Sequence, residues 1–134
     1  ETGHLVFGTL HTTSAPKTID RIVDVFPGDE KDMVRSMLSE SLRAVISQTL
    51  CKKTGGGRVA AHEIMMGIPA IRNLIREDKV AQMYSSIQTG AAHGMQTMDQ
   101  CLLNLMNKGL ISKENAQAKA HDKNLFSQGF GGGF

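Results

Sequence analysis

Residues 4–11 limit what this chain can fold into more than any other part of its sequence. They read His-Leu-Val-Phe-Gly-Thr-Leu-His, an almost continuously apolar run that is typical of a strand buried on both faces of a parallel α/β sheet. Such a strand needs a neighbour on each side, and no other segment has the same pattern. We therefore expect an α/β architecture to which this chain contributes one core strand. The start at Glu1, without Met, supports the interpretation that the chain is part of a longer protein.

Helical periodicity begins directly after this segment. Ser14 suits the N-cap position, and Ile19, Ile22, Val23 and Phe26 recur at the spacing of one helix face. The Pro-Gly pair that follows is expected to end this helix. A second helix of roughly twenty residues is predicted next, because apolar residues continue at helical spacing. Its expected apolar stripe consists of Val34, Leu38, Leu42, Val45, Ile46 and Leu50.

The remainder is predicted to hold a β-hairpin and then four short helices. The hairpin is expected near residues 50–66, because the glycine run at residues 55–57 suits a flexible loop between two apolar runs. The expected signals for helix starts are Pro69 in a first turn, Asp78 and Ser112 as N-caps, and Thr97 with Gln100 as a capping box.

These elements divide the chain into three expected regions. Residues 1–15 carry the core strand, and residues 16–120 form a helical region that includes the hairpin. Residues 121–134 are expected to be a flexible tail, because they end in a low-complexity run of Gly and Phe.

The composition excludes several classes of protein. Hydrophobic residues make up 40% of the chain and charged residues 21%, an ordinary balance for a globular domain. The net charge of +2 is too small to indicate a nucleic-acid partner or an anionic membrane. No apolar run approaches the roughly 20 residues of a membrane span. Cys51 and Cys101 lie in apolar-periodic stretches outside any CxxC pair, so buried free thiols are expected rather than a disulfide.

His11 is the first candidate functional residue. It lies where the predicted strand gives way to a helix, and ligands of open α/β sheets bind at the carboxyl ends of strands. With the hydroxyls of Thr12, Thr13 and Ser14 it could contact a γ-phosphate or an attacking water. The alternative is structural: His11 satisfies a loop backbone or caps the helix, and the hydroxyls are capping residues.

The second candidate is the sequence Ala-Ile-Arg-Asn-Leu-Ile-Arg-Glu at residues 70–77. Arg72 and Arg76 are four residues apart, on one face of the predicted helix, opposite Ile71 and Leu74. Two guanidinium groups in register can clamp a carboxylate or a phosphate of a partner. The alternative is an ordinary solvated helix face.

The sequence gives little support for a metal site or for a phosphate-binding loop. His62-Glu63 resembles the start of the zinc-protease HExxH motif, but the second ligand position holds Met66. The remaining His and Cys residues show no metal-ligand spacing. No phosphate-binding loop of the GxxxxGK[ST] type is present, so these residues alone lack that way of holding ATP.

Several strings in order resemble one known family. Residues 1–12, which run from Glu-Thr-Gly through His11-Thr12, resemble the stretch after the Walker B strand of type II/IV secretion ATPases, where His11 matches the His box. Residues 70–77 resemble the C-terminal signature of the twitching-motility retraction (PilT) subfamily, which residues 39–42 and 59–64 also match. The likeness covers nearly residues 1–120 and fails in the tail.

The resemblance implies a RecA-like P-loop ATPase core of the α/β class for the parent protein. This chain would be its mainly helical C-terminal part, with one core strand and a β-hairpin. The parent would be a cytoplasmic homohexamer that uses ATP and Mg²⁺ to retract type IV pili. It would work at the inner-membrane face, next to the pilus platform protein, and without nucleic acid.

The resemblance also implies roles for single residues. His11 would act catalytically by sensing the γ-phosphate, and Thr12 would contact the nucleotide. A surface helix would serve retraction rather than ATP binding, and its residues are Ala70, Ile71, Arg72, Asn73, Leu74, Ile75, Arg76 and Glu77. Since Walker A and most of Walker B are absent from these residues, the chain alone is expected to bind no nucleotide and to be inactive.

Two other functions remain open from the sequence. One is a non-enzymatic interaction module that docks a pilus-base or membrane-platform protein through Arg72 and Arg76. The other is a related secretion or conjugation ATPase, because the His-box region is shared among relatives. Residues 70–77 favour retraction over this second alternative.

Overall fold

The computed structural model describes residues 3–127. This part of the chain is mainly helical, with one two-stranded antiparallel sheet, as the sequence predicted for a C-terminal ATPase segment. A 3-10 turn, Ala91–His93, lies between the fourth and fifth helices. The elements in chain order are α1 Ala15–Asp24, α2 Lys31–Ser41, β1 Ala44–Lys52, β2 Arg58–Met66, α3 Pro69–Arg76, α4 Val80–Gln88, α5 Met98–Asn107, α6 Lys113–Lys119 and α7 Asn124–Ser127.

The predicted core strand at residues 4–11 is not formed, which corrects the first expectation. The segment has no regular structure, and the side chains of Leu5, Val6 and Phe7 are 78%, 75% and 88% exposed. A strand is held by hydrogen bonds to a neighbouring strand, and within residues 3–127 the sheet consists of β1 paired with β2 alone. The apolar run therefore has the composition of a buried strand without a sheet beside it.

Helix α1 forms as predicted. The Ser14 side chain accepts a hydrogen bond from the Lys17 backbone N–H at 3.2 Å, which makes it the N-cap. Ile19 and Val23 are each 2% exposed and belong to the core, whereas Phe26 beyond the helix end is 40% exposed. The segment that contains His11 directly precedes this helix, so the N-cap at Ser14 fixes the point from which that segment extends to the surface.

Helix α2 is shorter than predicted. It ends at Ser41, and Leu42 already has an extended backbone with ψ of 130°. The second half of the expected stripe lies in β1, which pairs with β2 in a register that runs from Ala44 opposite Met66 to Lys52 opposite Arg58. The β-branched residues of this stretch and a complementary partner strand favour the hairpin over continued helix, although both periodicities fit the same apolar residues.

The hairpin was predicted correctly as an element, but it spans residues 44–66 rather than starting near residue 50. In β1, Ser47 and Cys51 face the core and are buried, whereas Ile46 and Leu50 face outward and are 63% and 47% exposed. Alternation with a period of two therefore separates residues that the helical interpretation placed on one stripe.

Two apolar clusters form the core on the inward side of the hairpin. Buried residues of the first cluster are Ala15, Ile19, Val23, Met65, Ile71, Ile75, Met83, Ile87 and Met95. Buried residues of the second cluster are Cys51, Ala61, Met98, Leu102, Leu105, Ile111, Ala116, Ala120 and Phe126. Strand β2 contributes Met65 to one cluster and Ala61 to the other, so the two clusters meet along this strand.

Glu63 lies on β2 between those two residues and is fully buried. One carboxylate oxygen accepts the Ala15 N–H at 2.7 Å, and the other accepts the Met98 N–H at 3.1 Å. These donors are the first residues of α1 and α5, whose N–H groups have no partner within their own helix. One side chain thus joins the N-termini of two helices from different clusters.

The turn between α3 and α4 differs from the prediction at Asp78. This residue does not cap α4, whose N-cap is Lys79. Asp78 instead has a positive φ of 57°, its N–H bonds to the Ile75 carbonyl, and the Lys79 N–H bonds to the Leu74 carbonyl. This is a Schellman arrangement, so Asp78 ends α3 rather than starting the next helix. Its carboxylate forms an ion pair with Arg35 at 3.4 Å.

The capping signals of the last helices are confirmed. Thr97 and Gln100 form a reciprocal capping box at the start of α5, and Ser112 caps α6 through the Asn115 N–H. At the end of α5, Gly109 has a φ of 74°, which a glycine adopts at little cost. Local sequence signals therefore set the limits of these helices.

The chain remains packed beyond residue 120, where a flexible tail was expected to begin. Phe126 is fully buried in the second cluster. The backbone N–H groups of His121 and Asp122 donate to the buried carboxylate of Asp99 at 2.8 and 3.0 Å. These two contacts hold the segment against α5, so the expectation was wrong for residues 121–126. The Gly- and Phe-rich residues 128–134 lie outside the described residues.

Both cysteines are free thiols, as predicted. Cys51 is buried, and Cys101 is half-buried, where its Sγ accepts the His62 N–H at 3.4 Å. Burial raises the pKa of the Cys51 thiol above its ordinary value. The thiol therefore stays protonated at neutral pH, which suits a packing residue rather than a nucleophile.

Replacing Phe126 with Ala tests whether the tail is part of the core. Loss of this buried ring should lower the free energy of unfolding by about 3–5 kcal/mol. Phe7→Ala is the matched control, because the Phe7 ring is 88% exposed, and it should change stability by less than about 0.5 kcal/mol. Urea denaturation of the chain measures both variants. Equal effects of the two substitutions would show that Phe126 does not pack as described.

Candidate functional site

The segment that leads into α1 is held by a short chain of hydroxyl groups. The Thr18 hydroxyl donates to the Ser14 carbonyl oxygen at 3.1 Å, and it lies 2.7 Å from the Thr12 hydroxyl oxygen. A hydroxyl has one proton, so Thr12 is the donor in the contact with Thr18. Thr12 therefore fixes the segment to α1 and keeps only acceptor lone pairs for another ligand.

Beside this segment the surface forms an open cleft of about 480 Å³. Its lining residues are His11, Thr12, Thr13, Lys17 and Arg21. Thr12 is half-buried, and the other four residues are exposed. The structure thus brings two predicted site residues, His11 and Thr12, together with two cations of α1.

Lys17 and Arg21 give the cleft its charge. They are four residues apart on α1, so their side chains lie on the same helical face. Within residues 3–127, neither side chain forms an ion pair with a carboxylate. These two cations make this the part of the cleft best suited to an anion.

The cleft combines the groups that bind phosphate. A guanidinium presents a planar set of donors to phosphate oxygens, an ammonium adds a point charge, and the Thr13 hydroxyl can donate one more hydrogen bond. The His11 imidazole offers ring nitrogens that can form a hydrogen bond with a phosphate oxygen or a water. Within residues 3–127, no group of three His, Cys, Asp or Glu side chains is placed to hold a metal ion. Nor does any helix there have the length and apolarity to cross a membrane.

The second predicted site, residues 70–77, covers helix α3 from its second residue onward together with its C-cap residue, Glu77. Ile71 and Ile75 are buried in the first cluster, and Leu74 packs against it. The Arg72 side chain is turned inward: its Nε donates to the Gly67 carbonyl at 2.7 Å, and its Nη1 donates to the Glu40 carbonyl at 3.2 Å. Arg72 therefore joins α3 to the end of α2.

The exposed face of α3 carries different residues from the buried one. Ala70, Asn73, Arg76 and Glu77 are exposed. The Arg76 Nη1 donates to the Asn73 side-chain oxygen at 2.9 Å, and Glu77 forms an ion pair with Lys79 at 3.3 Å. The two arginines thus differ in what they can offer a partner, since the Arg72 guanidinium is already bonded to two backbone carbonyls.

Sequence reasoning missed three residues that shape the site, and one buried carboxylate, Asp99, that holds the C-terminal segment in the core. Lys17 and Arg21 were within reach of the prediction, because they follow the Ser14 cap at a spacing of one helical turn. Glu63 and Asp99 were harder to find, since buried carboxylates are rare. The signal for Glu63 was a charged residue at an inward position of a strand, between Ala61 and Met65.

Comparison with known proteins gives consistent matches. Residues 1–56 match the family described as Type II/IV secretion system protein. Over 120 residues the chain is 80% identical to the type IV pilus retractation ATPase PilT of Pseudomonas aeruginosa, covering 90% of this chain and 35% of that protein. It is 64% identical over 128 residues to a twitching motility protein of Neisseria gonorrhoeae, covering 95% of this chain and 34% of that protein. The chain thus spans about a third of the length of these relatives.

Solved structures agree with these relatives. The pilus retraction motor PilT, crystallised with bound ADP, superimposes with a TM-score of 0.85 at 49% identity, over 96% of this chain and 36% of that chain. The ATPase DotB of Yersinia pseudotuberculosis gives a TM-score of 0.75 at 25% identity, over 88% of this chain and 31% of that one. Sequence and structure together show that the chain is similar, over nearly all of its length, to the PilT proteins of type II/IV secretion systems.

Proposed function

We propose that the chain is the C-terminal part of a hexameric, ATP-hydrolysing motor that powers type IV pilus retraction. The observation that carries the proposal is the 80% identity, over 120 residues, to a protein named as a pilus retraction ATPase. Identity to the DotB ATPase is only 25%. This difference favours pilus retraction over a related secretion or conjugation motor.

In this proposal the cleft beside α1 faces the terminal phosphate of ATP. His11 would hydrogen-bond the γ-phosphate or the attacking water, and Lys17 and Arg21 would stabilise the negative charge that develops during transfer. Thr12 would orient the segment through its bond to Thr18. Its contact with the phosphate would use its backbone N–H, since the hydroxyl proton is engaged and phosphate oxygens accept hydrogen bonds.

The residues of this chain fit part of the nucleotide site. Lys17, Arg21 and the Thr13 hydroxyl suit phosphate oxygens, but the sequence contains no phosphate-binding loop. That loop, and the residues that hold Mg²⁺, would come from a part of the protein outside these residues. The ion would neutralise phosphate charge in the whole motor, whereas this chain would contribute the imidazole and the α1 cations.

Helix α3 would serve force transmission rather than chemistry. Its exposed residues lie away from the cleft lining, and its buried residues belong to the first cluster. The exposed side chains of Asn73, Arg76 and Glu77 would meet a partner at the pilus base, such as the platform protein, on the cytoplasmic side of the inner membrane. The interaction-module alternative uses the same surface, but it does not account for the ATPase relatives.

Replacing His11 with Ala in the whole motor should lower the ATPase kcat about 100-fold, because a proton-transfer or phosphate-sensing group is lost. The matched control is His93→Ala, an exposed histidine in the 3-10 turn and outside the cleft, which should leave kcat unchanged. A steady-state phosphate-release assay measures both. A His11→Ala variant as active as the control would remove His11 from the proposed site.

The chain of 134 residues should show no ATP turnover by itself, because it has no loop to hold the phosphates. The measurement is phosphate release from a preparation free of whole motor, with the whole motor at equal concentration as the positive control. Sustained turnover by the isolated chain would contradict the proposal that the nucleotide site is shared with another part of the protein.

Charge reversal at Arg76 should abolish pilus retraction while the ATPase kcat stays within about twofold, because an exposed side chain outside the cleft is changed. Arg58→Glu at the start of β2 is the control, since Arg58 is also an exposed arginine but lies at the hairpin loop. Twitching motility and ATP hydrolysis are measured for both variants. Normal twitching in Arg76→Glu would exclude this residue from force transmission.

A further inference from the structure

The buried carboxylate of Glu63 lies between the N-termini of α1 and α5. Its two oxygens bond two different helices, at 2.7 Å to the Ala15 N–H and at 3.1 Å to the Met98 N–H. Both N–H groups lie at helix N-termini, where the helix dipole favours a negative charge. A carboxylate suits this position because each of its oxygens accepts hydrogen bonds and it carries no donor when ionised.

One end of this bridge is attached to the cleft. Ala15 directly follows Ser14, whose carbonyl oxygen accepts the Thr18 hydroxyl proton, and Thr18 in turn holds Thr12. Glu63 and Thr18 thus fix the segment of residues 11–15 from two directions. A shift of the Ala15 backbone would move the residues that precede it, including His11.

The other end of the bridge is attached to the second cluster. Met98 is buried there, and its neighbour Asp99 holds the backbone of His121 and Asp122. The capping box of Thr97 and Gln100 fixes the same helix start. Ala15, by contrast, belongs to the first cluster. Glu63 therefore connects the backbone of the cleft segment to the start of α5 by hydrogen bonds.

We propose that Glu63 is a positioning residue for ATP hydrolysis, which sets the His11 segment at a fixed place relative to α5 by sharing one carboxylate between two helix N-termini. This inference rests on the proposed function, because it assigns Glu63 a role in that same site. Glu63 is not among the residues that line the cleft, and its link to them runs through the backbone of Ala15.

Glu63→Gln is the direct test in the whole motor. Gln keeps the volume but replaces one acceptor oxygen with an NH₂ donor, which then faces a backbone N–H. We expect kcat for ATP hydrolysis to fall about 10- to 100-fold, because a misplaced catalytic segment loses alignment. The KM for ATP should change less than about threefold, since the groups that bind substrate are untouched.

Two controls separate positioning from loss of stability. Asp99→Asn removes another buried carboxylate that accepts backbone N–H groups, but the hydrogen bonds of Asp99 go to Tyr84, His121 and Asp122 rather than to residues 11–15. Ser47→Ala changes the residue that lies opposite Glu63 on β1. Within the described residues, the Ser47 hydroxyl has no hydrogen-bond partner. Both should keep the wild-type kcat at a temperature where every variant is folded, even if Asp99→Asn lowers the Tm as much as Glu63→Gln.

The outcomes distinguish this inference from the proposed function. A wild-type motor without ATPase activity would overturn both. An active wild type with a normal kcat in Glu63→Gln would overturn the inference alone, as would equal losses of kcat in Glu63→Gln and Asp99→Asn. If Glu63→Gln does not fold, Glu63→Asp takes its place under the same criteria, because the shorter side chain keeps both acceptors but cannot span both helices.

Discussion

The arrangement of this chain depends on a charge placed where two helices begin. Burying a carboxylate is costly unless its oxygens are hydrogen-bonded, and Glu63 is fully buried with both oxygens bonded to backbone N–H groups. Each such bond to a charged group contributes about 1.5–3 kcal/mol. The same contacts satisfy two N–H groups that would otherwise lack partners at the starts of α1 and α5. Strand β2 thus fixes both helices and, through them, the two apolar clusters.

This constraint explains how a short segment can hold a functional position. Residues 4–10 are exposed and lack regular structure. From Thr12 onward, hydrogen bonds of the Thr18 hydroxyl with the Thr12 hydroxyl and the Ser14 carbonyl hold the backbone in place. The cleft residues of α1 extend from that fixed start. The exposed face of α3 lies elsewhere, on a helix whose inner side chains pack in the first cluster. The proposed chemistry and the proposed force transmission therefore use separate surfaces joined by one core.

The sequence predicted the features that depend on residues close together in the chain, above all the helix caps. Ser14, the Thr97–Gln100 pair and Ser112 cap helices where expected, because capping depends on a side chain and on backbone within three residues. The end of α2 was missed because Val45 and Ile46 fit a helix as well as a strand, and pairing with β2 decides between them. The burial of Phe126 was missed for the same kind of reason, since it depends on distant residues of the second cluster.

The candidate site was predictable to a similar extent. His11 and Thr12 were named as candidates from their place at a predicted strand-to-helix junction, and their roles stay predictions, because residues 4–11 form no strand. That Lys17 and Arg21 line the same cleft can be predicted only when the direction of α1 is known. The bridge through Glu63 can be predicted only when β2 is known to lie beside the starts of both helices. Composition and periodicity do not determine which polar side chains from distant parts of the sequence come together in the fold.

A structure of the whole motor with a non-hydrolysable ATP analogue tests the central claim most directly. We expect the terminal phosphate to lie within hydrogen-bond reach of the His11 imidazole, about 3 Å or one bridging water away, with Lys17 and Arg21 facing the same phosphate. A nucleotide bound with its terminal phosphate on another face of the molecule, beyond the reach of all three side chains, would contradict it.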